Sequence, residues 1–160
     1  VSLELLPLAD EDFPFLLGET SHSTLNLTLP PGGAEKPELL PFIRRMVANL
    51  RACGLFYAWM MVDSGEIVGL CNVLRPPQDG VAQIGYGVSA ARRRRGHATA
   101  AVAAMVARAA ANPALRELAA NTAPDNFASH RVLVKNAFSI SEKFNDPQDG
   151  PLLRWRLALR

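Results

Sequence analysis

Four consecutive arginines, Arg92 to Arg95, run into Gly96-His97-Ala98-Thr99 and then into an apolar pattern of helical period. That order suits the binding of an anion. A helix start leaves its first N–H groups without intrahelical partners and carries roughly half a positive charge. Gly96 and Ala98 are small enough to admit a phosphate to those amides. Around them the side chains of Arg93, Arg94 and Arg95 and the Thr99 hydroxyl add charge and a further donor. Net charge is +2 from 17 basic and 15 acidic residues, and it turns negative without the four arginines, so the positive charge is local. A local cluster suits a local diphosphate, whereas a nucleic-acid binder spreads basic residues along a face and interleaves aromatics. An arginine run alone is more often a solvated face; the strand before it and the helix after it favour a binding turn.

Other chemistries find less support. Gly85-x-Gly87-x-x-Ala90 formally fits a dinucleotide fingerprint, but it does not open directly into a helix, and no acidic residue follows at Met105–Ala110 to hold a ribose. His22, His97 and His130 are scattered, and no ligand spacing suggests a metal. Cys53 and Cys71, both in apolar surroundings, are expected as reduced, buried thiols. The longest strongly apolar stretch, Leu55–Val62, is far below the roughly 20 residues of a membrane-spanning helix. Glu4, Asp10, Glu11 and Asp12, with no early Lys or Arg, do not resemble a secretory leader. These features predict a cytoplasmic protein without nucleic-acid or membrane partners.

The elements that must position the turn are legible on both sides of it. Val81–Val88 is strand-like, and Ala98, Ala101, Val102, Met105, Val106 and Ala109 mark a helix ending near Asn112-Pro113. Upstream, Leu55–Val62 and Glu66–Leu74 flank Asp63-Ser64-Gly65 as a hairpin. Before them come a strand at Ser2–Leu6, a short helix at Phe13–Leu17 stopped by Gly18, an irregular loop over Thr20–Lys36, and an amphipathic helix at Glu38–Ala52. Downstream, Arg116–Asn121, Ala137–Glu142 and Leu152–Leu159 read as strands and Asn126–Asn136 as a helix. The pattern predicts one α+β domain over residues 1–160. The aromatics Phe56, Tyr57 and Trp59 read as core before anything else.

Three segments together resemble the GNAT superfamily of N-acetyltransferases. Arg93-x-x-Gly96-x-Ala98 is similar to its Arg/Gln-x-x-Gly-x-Gly/Ala signature, and Ile84-Gly85-Tyr86-Gly87-Val88 looks like the strand whose splayed end receives pantetheine. Asn126-Phe127-Ala128-Ser129-His130-Arg131-Val132-Leu133-Val134-Lys135-Asn136-Ala137-Phe138 closely resembles the Asn-x-x-Ser-x-x-Val-Leu-x-Lys-x-Gly-Phe segment of the branch holding ribosomal-protein N-terminal (RimJ/RimL-like) acetyltransferases. The resemblance covers about residues 55–140, the N-terminal third being only compatible. It implies a mixed, mostly antiparallel sheet of six to seven strands with about four helices. It further implies acetyl-CoA as cosubstrate, held by Val88, Arg93 to Thr99, Asn126 and Ser129, and direct transfer to an amine of a small molecule or a protein N-terminus. Thr20–Lys36 is expected to overlie the acceptor side, and the molecule to be a monomer or homodimer.

By that resemblance the Val88 N–H holds the oxyanion, a contribution of roughly 3–4 kcal/mol for a fixed donor. Two departures bear on the chemistry. Leu133 stands where many relatives carry a proton-donating tyrosine, so Ser129 is the substitute donor, directly or through water; a helix-start serine bonded to the backbone is the plain alternative. Gln83 stands where many carry a carboxylate base. Losing a proton at pH 7 costs an amine of pKa ~10.4 roughly 4–5 kcal/mol and an α-amine of pKa ~8 about 1. The expected acceptor is therefore an α-amine or one similarly acidic, with Glu142, Asp146 or Asp149 as alternative bases. Ala137 in place of the usual glycine argues against a left-handed turn there. A non-catalytic acyl-CoA-binding or sensing module is the competing reading.

Overall fold

The computed structural model describes residues 2–160. In chain order the elements are β1 (Glu4–Pro7), α1 (Phe13–Leu16), α2 (Leu40–Ala52), β2 (Ala58–Asp63), β3 (Glu66–Val73), β4 (Val81–Val88), α3 (His97–Ala110), β5 (Glu117–Thr122), α4 (Phe127–Lys135), β6 (Ser139–Asp146) and β7 (Gly150–Ala158). The seven strands form one sheet in the order β1-β2-β3-β4-β5-β7-β6. Every neighbouring pair is antiparallel except β4 and β5. Seven strands and four α-helices agree with the α+β expectation.

Alternation along the strands sends side chains to two cores. Met61, Cys71, Ile84, Leu118 and Trp155 face α3 and α4, burying Ala101, Val102, Met105 and Leu133. Met60, Val62, Ile67 and Leu70 face the other way, onto Phe13, Leu16, Leu40 and Val47 of α1 and α2 and onto Ala34 of the connecting loop. The feature that matters for function is the β4–β5 pairing. It joins only Val81, Ala82 and Gln83 to Glu117, Leu118 and Ala119. Beyond Gln83 the two strands part, while β4 stays paired to β3 as far as Val88 and β5 to β7 as far as Thr122. A gap therefore opens in the middle of the sheet, on the side toward which both parallel strands run.

Several boundaries and environments differ from expectation for local reasons. The second strand starts at Ala58, not Leu55, because the Leu55 amide closes α2 by donating to the Leu50 carbonyl at 2.8 Å after left-handed Gly54. The third begins as expected and ends at Val73, one residue early. Cys53 is exposed, not buried: it caps α2 beyond the apolar stripe. Cys71 is buried as expected, and burial pushes its thiol up to about 12.

Ala137 overturns the backbone expectation: its φ is 67°. Its N–H donates to the Val134 carbonyl at 3.0 Å, and the Phe138 N–H donates to Leu133 at 3.0 Å. These two bonds form a left-handed helix terminus of the Schellman type, in which the buried pair Leu133 and Phe138 closes over the turn. The closure outweighs the steric preference of alanine.

Candidate active site

The arginine turn divides into anchors and free groups. Arg92 makes a two-pronged pair with Glu66, Nε to Oε1 at 2.7 Å and Nη2 to Oε2 at 3.1 Å. His97 is buried, and its Nε2 donates to Asp63 Oδ2 at 2.8 Å. That bond, first, and a second from Ser64 hold the Asp63 carboxyl below the usual range. Both anchors bolt the turn to the β2–β3 hairpin. Among the described residues Arg93, Arg94 and Arg95 form no ion pair, and all three are exposed.

The start of α3 is open. Gly96 caps it in the left-handed conformation, φ 81°, with no side chain closing the first turn and no acidic residue in it. The first intrahelical bond runs from the Ala100 N–H to the Gly96 carbonyl at 3.0 Å. The amides of His97, Ala98 and Thr99 thus lie before the ladder begins, ready for an outside acceptor. Arg94, φ 62°, is also left-handed, a conformation that costs a non-glycine residue about 1–2 kcal/mol. Of the residues expected around an anion, His97 contributes only its backbone, since its ring is turned inward. Asn136 ties α4 to this turn, its Nδ2 donating to the Thr99 carbonyl at 3.2 Å.

The second half of the site follows from the β3–β4 register. Ser89 donates to Val68 and Leu74 to the Gln83 carbonyl, so the hydrogen-bonded positions of β4 on this side are Gln83, Gly85, Gly87 and Ser89. By alternation the N–H groups of Tyr86 and Val88 point away from β3, into the gap that β5 leaves. Across that gap, Ser129 is half-buried on α4. Its N–H donates to Asn126 Oδ1 at 3.2 Å. Asn126 is therefore the helix cap, its amide oxygen engaged with the backbone. The Tyr86 hydroxyl is buried with no hydrogen-bond partner among the described residues. Burial raises its pKa, and the Ser129 hydroxyl lies close enough to oppose that rise without meeting hydrogen-bond geometry. Leu133 is fully buried, so the position of the family tyrosine is core here.

On the opposite sheet face, sequence reasoning missed Glu35. The loop carrying it is anchored: Thr28 pairs alongside Glu66, donating to Gly65 and accepting from Ile67, both at 2.9 Å. It thereby continues the track that β4 leaves after Ser89. Ala34 is buried against Leu70 and its neighbours. The adjoining Glu35 carboxylate is half-buried and lies over Gly87, where an added Cβ would come within 2.5 Å of Oε2. Its Oε1 accepts the Lys36 N–H at 2.9 Å, and among the described residues it forms no ion pair. The sequence signals were a glycine at Gly87 within a strand, which marks a close approach, and the place of Glu35 in the loop Thr20–Lys36 expected over the acceptor side. A hollow of about 260 Å³ lies between Arg95, His97 and Thr28, and another of about 220 Å³ lies beside Met60 and Ile67.

Of the alternative bases, Glu142 and Asp146 are engaged elsewhere, and Asp149 lies in the turn between β6 and β7. Gln83 accepts from Arg75 Nη2 at 3.1 Å. Glu142 pairs with Arg154 at 3.3 Å, and Asp146 accepts the Gln148 and Asp149 amides in the β6–β7 turn. That hairpin begins two strands beyond β4. Of the strand aromatics, Tyr57 and Trp59 pack on the α3 core, whereas Phe56 is exposed beneath Arg51.

A family profile described as an acetyltransferase (GNAT) domain matches residues 2–139. The chain is similar to the uncharacterized N-acetyltransferase YjdG of Bacillus subtilis, 27% identical over 109 residues, which are 66% of this chain and 65% of that relative's length. It thus spans just under two thirds of that curated relative. Its fold is similar to that of RimL, a ribosomal alpha-N-protein acetyltransferase in complex with coenzyme A, with TM-score 0.73 and 18% identity over 99% of this chain and 94% of that one. It is also similar to the aminoglycoside acetyltransferase AAC(6')-Ib in complex with coenzyme A, with TM-score 0.70 and 17% identity over 98% and 95% of the two chains.

Proposed function

The chain belongs to the GNAT acetyltransferase family, and from that premise we propose that it moves an acetyl group from acetyl-CoA directly to a primary amine. One observation carries the reading: the start of α3 presents three free amides behind Gly96, flanked by three unpaired arginines, at the mouth of the β4–β5 gap. The pyrophosphate sits on that turn. Pantetheine then enters the gap, where the outward N–H groups of Tyr86 and Val88 meet its amides and the thioester. Val88 N–H receives the oxyanion as the amine attacks. The second proton of the attacking nitrogen passes to the departing sulfur through Ser129, with the Tyr86 hydroxyl beside it taking the place of the tyrosine that Leu133 displaces. The acceptor is a small-molecule amine or a protein N-terminus, the classes named for AAC(6')-Ib and RimL.

The test is calorimetric titration with acetyl-CoA followed by thiol release over a panel of peptides and small amines. Binding with transfer is expected. The buried Leu133 and the engaged Gln83 favour a second reading, a non-catalytic acyl-CoA sensor, which predicts binding with no thiol release for any amine.

A further inference from the structure

We infer that Glu35 is the group that receives the acceptor's ammonium and removes its first proton, an assignment that rests on the acetyltransferase reading above. The reaction needs a neutral amine, and only about 1 in 2,500 molecules of an alkyl amine of pKa ~10.4 is neutral at pH 7, against about 1 in 10 for an α-amine of pKa ~8. Gln83 cannot take the proton, and its amide is engaged with Arg75. Glu142 and Asp146 are engaged in the β6–β7 hairpin. Asp149 lies in the turn of that hairpin, two strands beyond β4, and Glu35 differs from all four. It is half-buried, it has no cation among the described residues, and it lies over Gly87, the residue before Val88.

Two independent features hold it there. The loop is fixed by the Thr28 pairing and by Ala34 in the core, and β4 lacks a side chain at the one position where any Cβ would strike the carboxylate. Gly87 faces the α1–α2 side of the sheet, paired to Leu70 in that core. Tyr86 and Val88 face the opposite side and the gap. Amine and thioester therefore approach the end of β4 from opposite faces, the amine guided by an anion and the diphosphate by cations.

The protons balance. The ammonium gives one proton to the Glu35 carboxylate, and the neutral nitrogen bonds to the thioester carbon. The C–S bond then breaks, the nitrogen's second proton goes to sulfur, and Glu35 returns the first to solvent. A carboxylate in this role widens the acceptor class from weakly basic α-amines to fully protonated alkyl amines.

The experiment compares Nα-acetyl-lysine amide with an α-amino tetrapeptide as acceptors for wild type, Glu35→Gln, Glu35→Asp and Gly87→Ala. Acetyl-CoA affinity is measured on each by calorimetry. Glu35→Gln should lower kcat/KM on the ε-amine by about 10²–10³-fold, with kcat falling and KM rising, and on the α-amine by about tenfold. Acetyl-CoA affinity should stay within about twofold of wild type. Glu35→Asp should recover part of the rate, and Gly87→Ala should reproduce the selective loss by displacing the carboxylate. Equal kcat/KM for wild type and Glu35→Gln on both amines, in protein that binds acetyl-CoA, would overturn the assignment alone. A wild-type protein that neither binds acetyl-CoA nor releases thiol would overturn the acetyltransferase reading instead.

Discussion

The two ends of the proposed site, one for cofactor and one for acceptor, are built in opposite ways. The cofactor end is a single contiguous turn, Arg92 to Thr99, in which local backbone geometry and charge supply nearly everything an anion needs. The acceptor end brings Glu35 onto Gly87, residues 52 positions apart in the chain, and depends on a loop anchored at Thr28 and Ala34. A local site survives changes elsewhere in the fold, whereas a site assembled across the sheet depends on every contact that fixes its loop.

The largest expected effect strikes the cofactor end. Gly96→Asp keeps a residue tolerant of the left-handed cap but sets a carboxylate where phosphate must lie. Acetyl-CoA affinity should fall about a hundredfold, or about 3 kcal/mol by titration calorimetry; undiminished affinity would remove the diphosphate from this turn. Next, Tyr86→Phe together with Ser129→Ala should lower kcat by about 10²-fold if either hydroxyl relays the proton. Each single change should be milder, and steady-state rates at saturating acetyl-CoA measure both.

Arg94→Gly separates strain from charge within the turn. Relieving φ 62° should raise unfolding stability by about 1 kcal/mol in denaturant titration, while losing one guanidinium should weaken acetyl-CoA binding about tenfold. Ala137→Gly probes the same strain at the C-terminus of α4, in a residue that bears no proposed cofactor contact. It should add about 1 kcal/mol, or about 2–4 °C in the thermal midpoint, without altering turnover.

The smallest effect concerns the anchor. The Asp63 carboxyl is depressed by His97, so its stabilisation is full above the unfolded value of about 3.9 and is lost as pH falls through the lower folded value. The difference in urea midpoint between wild type and Asp63→Asn should therefore shrink as pH falls from about 5 to below about 4. A difference that stays unchanged from about pH 5 to about pH 3 would mean that the Asp63 carboxylate does not hold the turn.

Helices and most strands were legible because their periods are local. Val81–Val88 is bounded as expected, and α3 ends near Asn112-Pro113 as its punctuation indicates. The errors fall where a distant or terminal contact overrode a local preference. Leu55 was claimed by a helix end, and Ala137 was driven left-handed by the closure of Leu133 on Phe138. In the site, Gly96 and its arginines could be read because a helix start and a charge cluster are written in adjacent residues. That His97 turns inward to Asp63, and that Asn126 serves as a cap, depended on which way each side chain faces once the hairpin and α4 are in place.

By itself, then, the order of residues determined the elements, the arginine turn at the start of α3 and the family, since each depends on neighbours a few positions apart. Tertiary structure alone decided the approach of Ser129 to Tyr86 and the seat of Glu35. Register and loop anchoring are properties of strands meeting in space, and short-range sequence periodicity carries no record of which distant residue fills the room left by a missing side chain.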